Sequence, residues 1–208
     1  MAQNKGFRSF TGATVEESLL SDYGPDGWYE CQNIVNKTPE GKQDLWRTSL
    51  YRNYGVTEDA YSALLEKQGG VCAICFSAPV KHKKLGVDHN HTTGKIRGLL
   101  CDKCNSAIGK LHESHEMFDR AKGYLAKPGT GKMFSKCSER ALTREALMES
   151  QHGKCAICDS EAKLYVDHDH KTDEIRGLLC INCNFAVGSF NDSLDLLDKA
   201  KEYLSIHE

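Results

Sequence analysis

The stretches VDHNHTTGKIRGLLCDKCN, from Val87 to Asn105, and VDHDHKTDEIRGLLCINCN, from Val166 to Asn184, set the same reactive side chains at the same spacing twice in one chain of 208 residues. Each holds an Asp-His pair, a second His, a Cys-x-x-Cys pair and a closing Asn. A further Cys-x-x-Cys pair precedes each stretch. Cys72, Cys75, Cys101 and Cys104 form one set of two short bites, and Cys155, Cys158, Cys180 and Cys183 form the other. That spacing closes a tetrahedral four-thiolate zinc site. A dithiol redox centre needs only one pair, in a thioredoxin-like βαβ setting, so zinc is the expected occupant. Cys31 and Cys137 lack such partners and read as simple buried thiols.

A zinc ion held by four thiolates has no open position for water, so its role is structural. Any chemistry in these stretches therefore needs a second, harder cation with oxygen ligands. Asp88 with Asn105, and Asp167 with Asn184, offer those oxygens, and each Asn directly follows a zinc ligand that fixes its helix start. His89 and His168, beside such a cation but not bound to it, are placed to take a proton from water. Successive residues of a regular strand point to opposite faces, so Asp88 and His89 can share a site only where the chain leaves the strand. The remaining residues admit two readings each. His91 and His170 either assist at the site or cap a hairpin, and Arg97 and Arg176 either grip phosphate or form a salt bridge within it.

The elements that must position these residues are legible in both copies. Leu85 to Leu125 and Leu164 to Leu204 match without a gap at 22 of 41 positions, which is a duplication. The first Cys pairs align at a different offset, so copy two lacks four residues of the lysine-rich loop around Lys81 to Lys84. In copy one, Thr57 is expected to cap a helix that Gly69 and Gly70 close. Thr143, Leu147 and Gly153 repeat this in shorter form. Strands from Leu85 to Val87 and Ile96 to Leu100, joined through Thr93-Gly94, predict a β-hairpin, and the second Cys pair opens a helix near Asn105. Ser114 then caps a helix with Met117, Phe118, Ala121, Tyr124 and Leu125 on one face. Ser193, Leu196, Leu197, Ala200, Tyr203 and Leu204 mirror it, and both stripes read as core. Lys127 to Lys136 reads as linker.

Composition bounds the partners. The formal net charge of −2 falls to about −6 once two four-thiolate zinc sites are counted as −2 each, which excludes a globally basic nucleic-acid binder. Ala78 to Lys110 nonetheless carries seven basic residues (Lys81, Lys83, Lys84, Lys95, Arg97, Lys103, Lys110) against Asp88 and Asp102. Glu161 to Phe190 carries three against five acidic ones. Phosphate contact is thus expected through a patch on copy one, unless those lysines are only a solvated face. No apolar run approaches the ~20 residues of a membrane span. The start lacks a signal peptide's apolar core, so a cytoplasmic location is expected.

The lead-in YGVTEDAYSALLEKQGGVCAIC, followed by Asp-His-x-His and IRGLLCxxCN, resembles the recombination endonuclease VII family of phage, a branch of the HNH nucleases, over Tyr54 to Leu125 and Leu142 to Leu204. The resemblance implies an α+β, zinc-stabilised chain of two ββα-metal (His-Me finger) units with flanking helices. It implies a Mg-dependent endodeoxyribonuclease leaving 5′-phosphate and 3′-hydroxyl ends, with branched DNA, as for a junction resolvase, one candidate substrate beside a mismatch, a specific site or any duplex. By position, His89 and His168 look like the general bases, Asp88 with Asn105 and Asp167 with Asn184 like the Mg²⁺ ligands, and His91 and His170 like helpers near the phosphate. Some relatives are expected to add an acidic ligand one turn after the Asn, where this chain has Ile108 and Val187. A phage-infected or bacterial host cell is implied. The expected organisation is an extension over 1–53 that packs on the first repeat or touches DNA, a first unit over 54–126, a linker over 127–141 and a second unit over 142–208. Within the extension, Lys42, Trp46, Arg47, Tyr51 and Arg52 interleave basic and aromatic side chains at helical spacing. The duplication builds either a pseudo-dimer in place of a homodimer, or a pair in which copy one cuts and copy two docks. The competing class is a tandem zinc-ribbon module that binds nucleic acid or protein without cutting.

Overall fold

The computed structural model describes residues 36–80 and 83–207. Cys31, most of the extension and Lys81 of the expected basic patch lie outside the described residues. The described residues separate into two compact units with a boundary between Glu66 and Lys67. No helix among them is long and apolar enough to cross a membrane.

In the first unit, helix α1 (Pro39–Tyr54) starts at Thr38, whose hydroxyl accepts from Gly41 N at 3.0 Å, and stops at Gly55 with φ +66°. Helix α2 (Glu58–Lys67) follows. As expected, Thr57 caps it, accepting from Ala60 N at 3.2 Å. Trp46 packs edge-on to Tyr61 with ring centroids 5.1 Å apart, and Arg47 pairs with Glu58, so part of the basic and aromatic stripe is spent on packing within this unit. Tyr51 is exposed.

The second unit contains both repeats. Copy one runs β1 (Gly86–His89), β2 (Ile96–Leu100), α3 (Asp102–Lys110) and α4 (His115–Leu125). After helix α5 (Cys137–Ser150), copy two runs β3 (Leu164–His168), β4 (Ile175–Cys180), α6 (Ile181–Ser189) and α7 (Leu194–Ile206). Each strand pair is an antiparallel two-stranded sheet. Such a sheet is marginal alone. A glutamine serves as its third member: Gln68 Nε2 donates to Leu99 O at 2.9 Å while its Oε1 accepts from Leu99 N at 2.8 Å. Gln151 does the same at Leu178, with both distances 2.9 Å.

Two expectations about the linker region fail. Helix α5 begins at Cys137, so Thr143 lies inside it and not at its cap, and residues 137–141 are helix where linker was expected. The propensities of the run from Ser138 to Leu147 favour helix and nothing in it enforces a stop. Cys137, expected to be buried, is exposed at the first residue of that helix.

The repeats meet through α3 against α6 and α4 against α7. Ser114 and Ser193 cap α4 and α7 as expected, and the stripes Phe118, Ala121, Tyr124 and Leu197, Ala200, Tyr203, Leu204 are buried. The contacts come in reciprocal pairs. Lys122 pairs with Asp198 at 2.5 Å, and Lys201 with Asp119 at 2.6 Å, each residue standing 79 positions from its counterpart. Residue i meeting j while j meets i is the signature of a two-fold interface, here within one chain.

Candidate functional site

The sulfur clusters form first in the logic of each repeat. The ligand atoms of Cys72, Cys75, Cys101 and Cys104 all lie within 4.8 Å of one another, as do those of Cys155, Cys158, Cys180 and Cys183. A Zn–S bond of about 2.3 Å sets tetrahedral edges near ~3.8 Å. Cys75 Sγ stands 3.8 Å from Cys101 Sγ, and Cys158 Sγ 3.7 Å from Cys180 Sγ. Both groups can hold zinc. Such crowded thiols cannot all ionise without a cation. Hydrogen bonds from Cys101 and Cys104 hold the Cys72 thiol far below its ordinary value, while Cys101 and Cys72 push Cys104 far above it. In copy two, Cys183 lowers Cys155 to about 4 and is itself driven up in return.

Each cluster clamps a hairpin to a helix start, because its second pair spans the junction of strand and helix. The hairpin register shifts between Asp88 and His89, and again between Asp167 and His168. This bulge is a departure from regular strand at the Asp-His step of each repeat. The residue between the two histidines then turns the loop. Asn90 Oδ1 accepts from Thr92 N and Thr93 N at 2.9 Å each, and Asp169 Oδ1 from Lys171 N and Thr172 N at 2.8 and 2.9 Å.

Asp88 and Asp167 are each 3% exposed. The two arginine readings resolve in favour of the salt bridge. Arg97 Nε donates to Asp88 Oδ2 at 2.7 Å and Nη2 to Oδ1 at 3.0 Å, and Arg176 grips Asp167 at 2.7 and 3.1 Å. Burial works against the Arg97 charge, but Asp88 and then Glu113 outweigh it and hold its pKa above the ordinary value. A third donor comes from the opposite repeat. Tyr203 Oη donates to Asp88 Oδ2 at 2.9 Å, and Tyr124 Oη to Asp167 Oδ2 at 2.8 Å. Burial first, and then the carboxylate charge, raise both phenols above their ordinary pKa, so they stay protonated donors.

The second histidines face an acid that sequence reasoning passed over. His91 Nδ1 lies 2.5 Å from Glu113 Oε1, and Glu113 Oε2 accepts from Arg97 Nη1 at 2.7 Å. Burial raises the Glu113 carboxyl, yet Arg97 and then His91 bring it net below its ordinary value. Asp192 takes this place in copy two, with His170 Nδ1 at 3.0 Å and Arg176 Nη2 at 3.2 Å from the same Oδ2. Glu113 and Asp192 sit just past α3 and α6 at φ +53° and +55°. Their shared acidity at equal offset was the available signal.

In copy two, Asp167, His168, His170 and Asn184 line one cavity of about 610 Å³. Arg140, Arg144, Lys163, Phe134 and Tyr165 also line it. The cavity is therefore more basic than the acidic stretch from Glu161 to Phe190 suggests, because α5 contributes from outside that stretch. In copy one, Asn105 lies in the first turn of α3, its Nδ2 3.5 Å from where a Cβ on Gly86 of β1 would stand.

Comparison with known proteins agrees with this duplicated arrangement. The family model described as recombination endonuclease VII matches residues 47–127 and again 132–206. The chain is similar to the Gene 59 protein of Mycobacterium phage D29, 49% identical over 84 residues, and to that of Mycobacterium phage L5, 46% identical over 84 residues. In both cases the match covers 40% of this chain and 51% of the relative, so the chain spans about half the length of the curated relatives it matches. No solved structure matches the chain.

Proposed function

The chain belongs to the recombination endonuclease VII family, and from that premise we propose that it is a Mg²⁺-dependent DNA endonuclease with a ββα-metal site in each repeat. The units are those over 54–126 and 142–208. The observation that carries the reading is the cavity of copy two, where a carboxylate, an amide and two imidazoles converge between basic side chains.

The residues suit a hard cation. Arg97 and Tyr203 occupy three of the lone-pair positions of the Asp88 carboxylate, two on Oδ2 and one on Oδ1, which leaves Oδ1 able to meet an ion. Asp88 with Asn105, and Asp167 with Asn184, would hold Mg²⁺, which when bound offsets negative charge on a scissile phosphate. His89 and His168 take the proton from the attacking water, a contribution of about 10²–10⁴-fold. His91 and His170, oriented by Glu113 and Asp192, stand beside the phosphate as donors. Arg140, Arg144 and Lys163 suit the neighbouring backbone phosphates, and the exposed ring of Tyr165 offers a stacking surface to an unpaired base. The reciprocal contacts support a pseudo-dimer, the form a branched junction calls for because two strands must be cut.

The test incubates purified chain with plasmid and with four-way, mismatched and fully paired DNA, with and without Mg²⁺, beside His89→Ala and His168→Ala. Cleavage only with Mg²⁺, greatest on the branched substrate and reduced in both variants, is expected. DNA that is bound but intact in every lane would instead establish the non-cutting zinc module.

A further inference from the structure

We propose that Tyr203 and Tyr124 are positioning residues supplied in trans, each fixing the ion-binding carboxylate of the opposite repeat so that neither site is complete without the other half of the chain. The inference rests on the reading of Asp88 and Asp167 as ion ligands. Three observations carry it. The hydrogen bonds are reciprocal and buried: Tyr203 reaches Asp88 across 115 positions of sequence, and Tyr124 reaches Asp167 across 43. Each carboxylate has one oxygen saturated, since Oδ2 takes both the arginine Nε and the phenol, so the phenol decides which oxygen remains for an ion. The opposing strand is also cut away to admit the ring. A Cβ on Gly98 would stand 2.9 Å from Tyr203 Oη, and one on Gly177 3.1 Å from Tyr124 Oη. The glycine in each IRGLL motif is therefore a passage for the other repeat's tyrosine.

A tyrosine on a packed helix is ordinarily core, and its ring here is core. The hydroxyl has a separate task. Lost from a charged acceptor, it frees Oδ2 to rotate or rehydrate and should weaken the ion site by about tenfold. Phenylalanine keeps the ring and its packing, so Tyr203→Phe and Tyr124→Phe isolate that hydroxyl.

The experiment titrates Mn²⁺, read by electron paramagnetic resonance, into zinc-loaded full-length chain, with melting temperatures as the folding control. Asp88→Asn and Asp167→Asn first identify which of two Mn²⁺ sites belongs to which repeat. Tyr203→Phe should weaken about tenfold the site lost in Asp88→Asn and spare the other, and Tyr124→Phe should do the converse. Strand-resolved nicking gives a second readout that does not depend on the aspartate variants folding. In a His168→Ala background Tyr203→Phe should slow the remaining nick about tenfold, and in a His89→Ala background it should not. Effects confined to the tyrosine's own repeat, equal on both sites, or absent would overturn the inference. Wild-type chain that neither binds Mn²⁺ nor cuts DNA would sink the nuclease reading and this one with it; wild-type chain that does both, with tyrosine variants indistinguishable from it, would sink this inference alone.

Discussion

The two repeats keep the same sulfur cluster, the same bulged hairpin and the same braced aspartate, yet the surroundings of their histidines have diverged. In copy two the linker runs along the start of β4: Thr130 N donates to Ile175 O at 2.8 Å, Ile175 N to Lys132 O at 2.8 Å and Phe134 N to Asp173 O at 2.9 Å. This lays Phe134 flat on His168, with ring centroids 4.0 Å apart and planes 9° apart. Copy one instead carries the longer loop before β1, where Lys83 pairs with Asp102 at 3.1 Å. The acids differ too. Glu113 faces Arg97 with one oxygen and His91 with the other, whereas Asp192 meets both partners with the same oxygen. What duplication held constant is the machinery that orients a carboxylate. What it released is the packing around the imidazole.

Several measurements would break or sharpen that contrast. The largest effect belongs to what the copies share. Structural zinc contributes on the order of 10–16 kcal/mol in small zinc domains, so Cys101→Ser or Cys180→Ser should abolish the hairpin of its repeat. Because the repeats interlock, circular dichroism should show that either variant melts both. Retention of half the helical signal would mean that the copies fold independently. Next come the candidate bases, where His89→Ala and His168→Ala should each lower their own strand's nicking by about 10²–10⁴-fold. A harmless His168→Ala would turn the comparison into a division of labour, with copy one alone cutting.

Smaller effects probe the tyrosine passages and the stack. Gly98→Ala and Gly177→Ala should each cost about 1–3 kcal/mol, as overpacking does, seen as similar drops in melting temperature. Unequal drops would mean that one brace is tighter than the other. The Phe134–His168 stack is worth about 0.5–1.5 kcal/mol. Phe134→Ala should therefore speed carbethoxylation of His168 several-fold, read by mass spectrometry, while His89 reacts at its former rate.

The sequence made the local pieces readable. Cys-x-x-Cys spacing located both clusters and Ser114 and Ser193 marked the caps. What it hid is what only the assembled pair creates. Tyr124 and Tyr203 fall on helical stripes whose period is that of any core face, so nothing local separates a packed ring from a ring with a working hydroxyl. The identity of Tyr124 with Tyr203 and of Gly98 with Gly177 was visible in the aligned copies, but their meeting joins segments far apart in the chain. Counting charge along Glu161 to Phe190 likewise missed Arg140 and Arg144, because α5 reaches the cavity from outside that stretch. The linker composition stops at Lys136, and the helix that starts at Cys137 follows it directly.

The reciprocal pairing of α4 with α7 has a consequence for dilution. Two separate subunits must find each other, and at a few molecules per cell such an encounter sets how much assembled protein exists. Here the two sides of the interface share one backbone, so their meeting is intramolecular and does not depend on how much of the chain has been made.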